Sequence, residues 1–258
     1  MAEPGSAALV RSRLERTRLD GLGPAAPPGM AAAYRLQAIA NAALSRTLGP
    51  VAGWKIGCTT PVMQAYLGID EPCAGAVFAT MVHASPADVE RRSFVRPGVE
   101  CEIAVRLGRD LGPADAPFSR ARVAEAVQSV MPSIELVDDR YADFRALGAP
   151  TLTADNFLGA GCVLGPEIRD WWRRDLAVVR GRMSIDGRLV GEGRGDAILG
   201  HPLDALRWLA RTRALRGETL RAGSFVTLGS LVQTQWVERG QTVVVAIDGL
   251  GEARLRLV

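Results

Sequence analysis

Val99-Glu100-Cys101-Glu102-Ile103-Ala104-Val105-Arg106-Leu107 alternates apolar Val99, Cys101, Ile103 and Val105 with Glu100, Glu102 and Ala104, the period-two signature of a half-buried strand. The two glutamates therefore project from one face, about 6 to 7 Å apart along the chain. Carboxylates that close repel unless a cation or a proton lies between them. A hard divalent ion accepts such oxygens and keeps positions free for water and substrate. The commoner fate of a Glu-x-Glu pair is to line the wet face of an antiparallel strand, and the spacing alone leaves both readings standing.

Outward from this strand, Ser133 to Val137 reads as a short strand whose apolar neighbours enclose Glu135. Buried there, its carboxylate needs a partner; a position at the rim is the alternative. Thr153-Ala154-Asp155-Asn156-Phe157 follows Pro150, and Asp155 and Asn156 suit a cap or turn. Upstream, Val51 to Cys58 is predicted as a strand carrying Lys55. Thr60 to Leu67 is predicted as a helix capped by Thr60 with Pro61 first, and Ala76 to Val82 as another strand. Downstream come an amphipathic helix over Ser119 to Val130, a hairpin over Leu176 to Val190 turning at Asp186-Gly187, and a helix over His201 to Leu215 with His201 as cap. Strands at Phe225 to Leu228, Thr242 to Ile247 and Ala253 to Val258 close the chain. Residues 1–50 read as a small helical lobe, an arginine-bearing helical stretch over Ala7 to Leu19 and an Ala-rich one over Met30 to Leu48, broken by Gly/Pro at 21–29, ahead of a body over 51–258. Strands and helices do not alternate regularly, which predicts a mixed α+β fold with a strand-rich body.

The composition narrows the function. Of 258 residues 48% are apolar, and the net charge of +3 is spread along the chain, so neither nucleic acid nor a membrane surface is an expected partner. No apolar run approaches the roughly 20 residues of a spanning helix, and the arginine-bearing start is not a secretory signal; a cytoplasmic protein is expected. Cys58, Cys73, Cys101 and Cys162 are scattered, which suits buried free thiols. Two histidines, His83 and His201, exclude an H-E-x-x-H site; His83 is expected in solvent, and Trp171 and Trp172 in a surface or interface patch. Lys55 is the only lysine among 31 basic residues. Lysine can lower its pKa on burial and exchange protons where arginine cannot, but composition alone equally allows chance survival.

Six stretches together carry a resemblance. Gly53-Trp54-Lys55-Ile56-Gly57-Cys58-Thr59, Leu67-Gly68-Ile69-Asp70-Glu71-Pro72, Val99-Glu100-Cys101-Glu102-Ile103-Ala104, Pro132-Ser133-Ile134-Glu135-Leu136-Val137, Ala154-Asp155-Asn156 and Leu199-Gly200-His201-Pro202-Leu203 run in order along the chain. They resemble the 2-keto-4-pentenoate hydratase and 4-oxalocrotonate decarboxylase family of the fumarylacetoacetate hydrolase superfamily. The resemblance implies a fumarylacetoacetase C-terminal-like fold, a homo-oligomer, and Mg²⁺ or Mn²⁺ held by Glu100, Glu102 and Glu135. It makes Lys55 the active-site lysine, with a pKa expected to be lowered, and Asp155 the group that positions it or activates water. It implies a small 2-oxo or 2-hydroxydienoic acid as substrate, with hydration first, decarboxylation as the alternative, and a metal-free non-catalytic relative as the third reading. The absence of histidine from residues 1–50 weighs against an acylpyruvate hydrolase. Two positions depart from the family: hydratases commonly carry an acid just after Pro72, where this chain has Cys73, and a Thr-Gly pair where it has Leu228-Gly229. Gly229 and Ser230 are the expected substrate contacts there, with Thr227 or Ser230 standing in for the missing threonine.

Overall fold

A computed structural model describes residues 3–258; the first two positions of the expected 1–50 lobe lie outside it. Six helices are described: α1 (Pro4–Glu15), α2 (Met30–Leu48), α3 (Pro61–Leu67), α4 (Arg120–Ala124), α5 (Ala149–Ala154) and α6 (Pro202–Ala214). The strands are β1 (Val51–Gly57), β2 (Cys73–Phe78), β3 (Val82–Ala84), β4 (Ala87–Val89), β5 (Pro97–Leu107), β6 (Val127–Asp138), β7 (Gly159–Leu164), β8 (Arg180–Ile185), β9 (Arg188–Arg194), β10 (Phe225–Trp236), β11 (Thr242–Ile247) and β12 (Gly251–Leu257). They form a seven-stranded sheet in the order β2-β1-β10-β5-β6-β7-β3 and a five-stranded sheet in the order β4-β12-β11-β8-β9. The class is the α+β, strand-rich one the sequence predicts. Among the described residues no helix is long and apolar enough to cross a membrane.

The alternation in β5 sets how the two sheets meet. Val99, Cys101, Ile103 and Val105 are fully buried and share one core with Met183, Val243, Val245 and Leu255 of the smaller sheet. The approach is close enough to need glycine at Gly181, where a Cβ would lie 2.5 Å from Leu231 Cδ1 and 3.0 Å from Cys101 Sγ. Burying that apolar face against a second sheet leaves the glutamates of β5 on the other side of the large sheet.

Local signals hold where turn or cap chemistry dominates. Thr60 accepts from the Met63 N–H at the start of α3, His201 Nδ1 accepts from the Leu203 N–H at the start of α6, and Asp186 and Gly187 take the paired left-handed conformations of a tight hairpin. Three expectations are corrected. The helix over Ser119 to Val130 stops at Ala124, and from Val127 the chain is strand, because β6 pairs with β5 along its whole length and is buried on both faces. The strand over Ala76 to Val82 is two strands divided by a turn at Ala79–Met81. His83, expected in solvent, is partly buried in β3.

The N-terminal helices are stitched to the body by buried polar groups. Gln37 Nε2 of α2 donates to the Ala74 and Thr153 carbonyls (2.8 and 2.6 Å). Arg140, 1% exposed, donates to Ser12 Oγ of α1 at 2.9 Å and to both carboxylate oxygens of Asp155. Tyr141 Oη donates to the same carboxylate at 3.1 Å. Removing that one donor by Tyr141→Phe leaves the ion pair in place, so urea unfolding should show a loss of about 1.5 kcal/mol, the lower range for a hydrogen bond to a charged group. An unchanged midpoint would mean the phenol contributes only packing.

Candidate active site

Four neighbouring strands bring the site together. Glu100 of β5 lies directly opposite Glu135 of β6, so both side chains stand on one face of the sheet, and Glu102 follows two residues along it. One oxygen from each of Glu100, Glu102 and Glu135 lies within 4.8 Å of the others. From β1, on the other side of β10, Lys55 Nζ reaches within 2.9 Å of Glu135 Oε1. Lys55, Glu102 and Glu135 are 3%, 1% and 1% exposed. Within the Glu-x-Glu pair Glu102 is thus no wet-edge residue, and Glu100 is half-buried.

β10 contributes through an irregularity. Its register with β5 shifts between Thr227 and Ser230, and such a bulge frees a backbone donor from the ladder. The Gly229 N–H donates to Glu102 Oε2 at 2.9 Å. Gly229 has φ +118°, and a Cβ there would lie 2.2 Å from Thr59 Oγ1, so the position requires glycine. Thr227 Oγ1 donates to Glu135 Oε2 at 3.3 Å, and Thr234 Oγ1 donates to Glu100 Oε1. Ser230 Oγ lies 2.6 Å from the carbonyl of Val232 in its own strand; of the two residues weighed as the stand-in, Thr227 is the one in contact with the acids.

The electrostatics ask for a cation. Burial first, and then the charge of Glu135, raise the pKa of Glu100; the same causes together with Glu100 hold Glu102 well above the usual carboxylate range. Glu102 Oε1 is buried and accepts no hydrogen bond, an arrangement that costs free energy unless something fills it. Three carboxylates against one ammonium leave two negative charges uncompensated. Buried hard oxygens, a bare lone pair and a deficit of two charges fit a divalent ion such as Mg²⁺ or Mn²⁺.

Lys55 departs from expectation in sign. Desolvation lowers its pKa, but the charges of Glu135, Glu100 and Glu102 outweigh that and hold it above the ordinary lysine value. Its carboxylate partner is Glu135, not Asp155, whose oxygens face Arg140, Tyr141 and Arg13. Asp155 reaches the lysine only through the backbone that follows it. Asn156, Phe157 and Leu158 hold φ of 55°, 52° and 61°, a left-handed conformation that costs each non-glycine residue about 1 to 2 kcal/mol and clusters at functional sites. The turn is held by Asn156, whose Oδ1 accepts from the Ala76 N–H at 2.8 Å and whose Nδ2 donates to Asn41 Oδ1 at 2.7 Å. It presents the Phe157 carbonyl to Lys55 Nζ at 3.4 Å, with the Phe157 ring centroid 5.3 Å from the ammonium.

Comparison with known proteins gives consistent findings. Residues 69–258 match the family described as Fumarylacetoacetate (FAA) hydrolase C-terminal. The chain is 36% identical to the 2-keto-4-pentenoate hydratase of Burkholderia vietnamiensis, with 98% of each chain covered, and 32% identical to the 2-hydroxyhexa-2,4-dienoate hydratase of Comamonas testosteroni over 80% of this chain and 78% of that one. Among solved structures, 4-oxalocrotonate decarboxylase from Pseudomonas putida G7, complexed with magnesium and adipate, superposes with a TM-score of 0.90 at 26% identity, covering 98% of this chain and 96% of that one.

Proposed function

The chain belongs to the fumarylacetoacetate hydrolase family, and on that premise we propose that it is a divalent-metal-dependent hydro-lyase, adding water to a small 2-hydroxy-2,4-dienoate to give a 4-hydroxy-2-oxo acid. The observation that carries this reading is the buried acid cluster, two charges short of neutrality and with Glu102 Oε1 unpartnered. Glu100, Glu102 and Glu135 would hold Mg²⁺ or Mn²⁺, which supplies positive charge where an enolate oxygen develops on a 2-oxo acid.

The remaining roles fall to the chain's own groups. Lys55 Nζ is the proton carrier: the 2-hydroxyl proton is moved to C5 as the dienol tautomerises, and a proton of the water that adds to C4 is moved to C3. Glu135 and the Phe157 carbonyl fix where Nζ sits. Thr227 and the Gly229 N–H orient Glu135 and Glu102. Asp155, clamped by Arg140, is a positioning residue for the turn behind the lysine. Gly229 and Ser230 stay as candidates for the substrate-facing edge through their backbone. With the family resemblance, the reading extends to a cytoplasmic homo-oligomer.

A decarboxylase of a 4-oxalocrotonate-type acid is the second reading, favoured by the superposition on the decarboxylase; the same acid cluster serves either enolate. Incubation with 2-hydroxypenta-2,4-dienoate and with 4-oxalocrotonate, each with Mg²⁺ or with EDTA, separates them. The expected result is metal-dependent loss of dienoate absorbance with no CO₂ release. CO₂ from 4-oxalocrotonate alone would select the second reading, and inertness toward both would remove the enzymatic proposal.

A further inference from the structure

The last turn of α1 carries an arginine to the back of the lysine's turn. Leu9 and Arg13, four residues apart, share one face of that helix. Leu9 is buried against Ala33, Leu36 and Ala154, and Arg13 continues along the chain that follows Ala154. Its side chain is 7% exposed. Nη1 donates to the Gly159 carbonyl at 2.7 Å and Nη2 to the Asp155 carbonyl at 3.4 Å, with Asp155 Oδ1 3.5 Å from Nη2. Residues 155 and 159 are the two ends of the left-handed segment Asn156, Phe157 and Leu158. One guanidinium therefore bridges the segment from end to end through its backbone, which a planar fork of nitrogens allows and a compact ammonium does not.

On its other side the bridged segment encloses Lys55. The Phe157 carbonyl lies 3.4 Å from Nζ and the ring centroid 5.3 Å from it. Gly159 flanks the methylene stem, where a Cβ would lie 3.6 Å from both Cγ and Cε. Glu135 holds the tip of the side chain from the sheet; the segment holds its flank and stem. Asn156 anchors the middle of the segment to Ala76 and Asn41, and Arg13 ties its ends. Backbone in so sparsely populated a conformation persists only where the surroundings over-determine it.

We infer that Arg13 is a positioning residue for proton transfer: by tying Asp155 to Gly159 it sets where Lys55 Nζ stands. The N-terminal lobe thereby takes part in the reaction, although it offers no group to the substrate. The inference rests on the role proposed above for Lys55. Without the bridge the segment relaxes toward ordinary backbone, and the flank of the lysine moves with it. A misplacement of about 1 Å in a positioned group costs about 10²-fold in rate. An arginine that only fastened α1 to the body would change stability and nothing else.

The test exploits Lys55 being the only lysine of the chain: full-length protein grown on lysine labelled with ¹³C at Cε carries one side-chain signal. In Arg13→Met that signal should move toward the position of free lysine. Turnover number should fall by about 10²-fold with KM little changed, and the Mg²⁺-induced thermal shift should persist. Arg13→Lys keeps a cation beside Asp155 and reaches one carbonyl, so it should fold as wild type does and recover only part of kcat; it decides the question by kinetics should Arg13→Met not fold. Val243→Ala, which loosens the core between the sheets, should lower the melting temperature and leave both the signal and kcat in place. A Lys55 signal superposing on wild type in Arg13→Met, a wild-type kcat in Arg13→Lys, or an equal displacement in Val243→Ala would overturn the inference. The signal is read without substrate. A displaced signal in Arg13→Met beside a wild type inert toward the dienoate would remove the hydratase reading and leave Arg13 as the group that places Lys55; an active wild type with an unmoved signal in the variant would remove this inference alone.

Discussion

Replacing Lys55 with methionine should lower turnover of the dienoate by about 10³-fold, the middle of the range for losing a positioned proton-transfer group, while metal binding stays intact or tightens. The second half of this outcome follows from charge. Lys55 Nζ lies 2.9 Å from Glu135 Oε1, and its removal takes a positive charge from beside the carboxylates proposed to hold the ion. The metal-free variant should melt earlier than wild type, because two buried carboxylates and a half-buried third then face one another with no counter-ion, and Mg²⁺ should restore more stability than it gives wild type. Lys55→Arg is the sharper variant. It keeps a cation beside Glu135. A divalent ion on the glutamates would offset their charge and leave burial to lower the Lys55 pKa, whereas a guanidinium stays protonated, so the variant should retain most of the stability and little of the turnover. Near-normal rates in Lys55→Arg would show that the ammonium acts only as a charge.

How far these roles were legible depends on how local their causes are. The Glu100, Glu102 face could be read from β5 because alternation over nine residues is a local property, and the apolar half of that alternation is what the second sheet covers. That Glu135 stands opposite Glu100 is a fact of register between strands 35 residues apart, and only the family resemblance pointed to it. The same long pairing defeated the local reading at Val123, Ala126, Val127 and Val130: their spacing suits a helix, yet from Val127 the chain gains more by filling the ladder beside β5. Asp155 shows the limit most clearly. As a cap or turn residue it read correctly, since it ends α5, but its partners Arg13 and Arg140 lie on other elements, and nothing in Thr153 to Phe157 signals them. A polar run, Asp138-Asp139-Arg140, closing an otherwise apolar strand was the available hint. Thr234 gave none, because its contact with Glu100 exists only through the irregular register of β10. Lys55 was legible as a singular residue, but not the sign of its pKa displacement. That sign depends on how many carboxylates surround it, and all three come from strands it does not pair with.

Glu102→Gln should remove the Mg²⁺-induced thermal shift and, in the same protein, raise the melting temperature of the metal-free form. Glu102 is 1% exposed, with Oε2 held by the Gly229 N–H and Oε1 without a partner. Its folded pKa is raised, by burial first and then by Glu135 and Glu100. A carboxyl whose folded pKa exceeds its unfolded one binds more protons when folded, so the metal-free chain loses stability as pH rises from the ordinary glutamate value through the folded one. At neutral pH an ionised Glu102 is therefore a burden on the metal-free fold. Glutamine lifts it: its carbonyl can still accept from Gly229, and its amide N–H₂ can donate toward the neighbouring carboxylates. With metal the signs reverse. The ion needs the ionised oxygen, so acidification weakens binding, and wild type at a hundredfold excess over Kd gains about 2.7 kcal/mol that the variant lacks. Calorimetric scans of both proteins from pH 5 to 8, with EDTA or saturating Mg²⁺, read all four states. Wild type should slope downward with pH in EDTA and upward in Mg²⁺, and Glu102→Gln should be flatter in EDTA and indifferent to the metal. A variant that melts below wild type in EDTA yet still responds to Mg²⁺ would mean that Glu102 supports the sheet and the ion sits elsewhere.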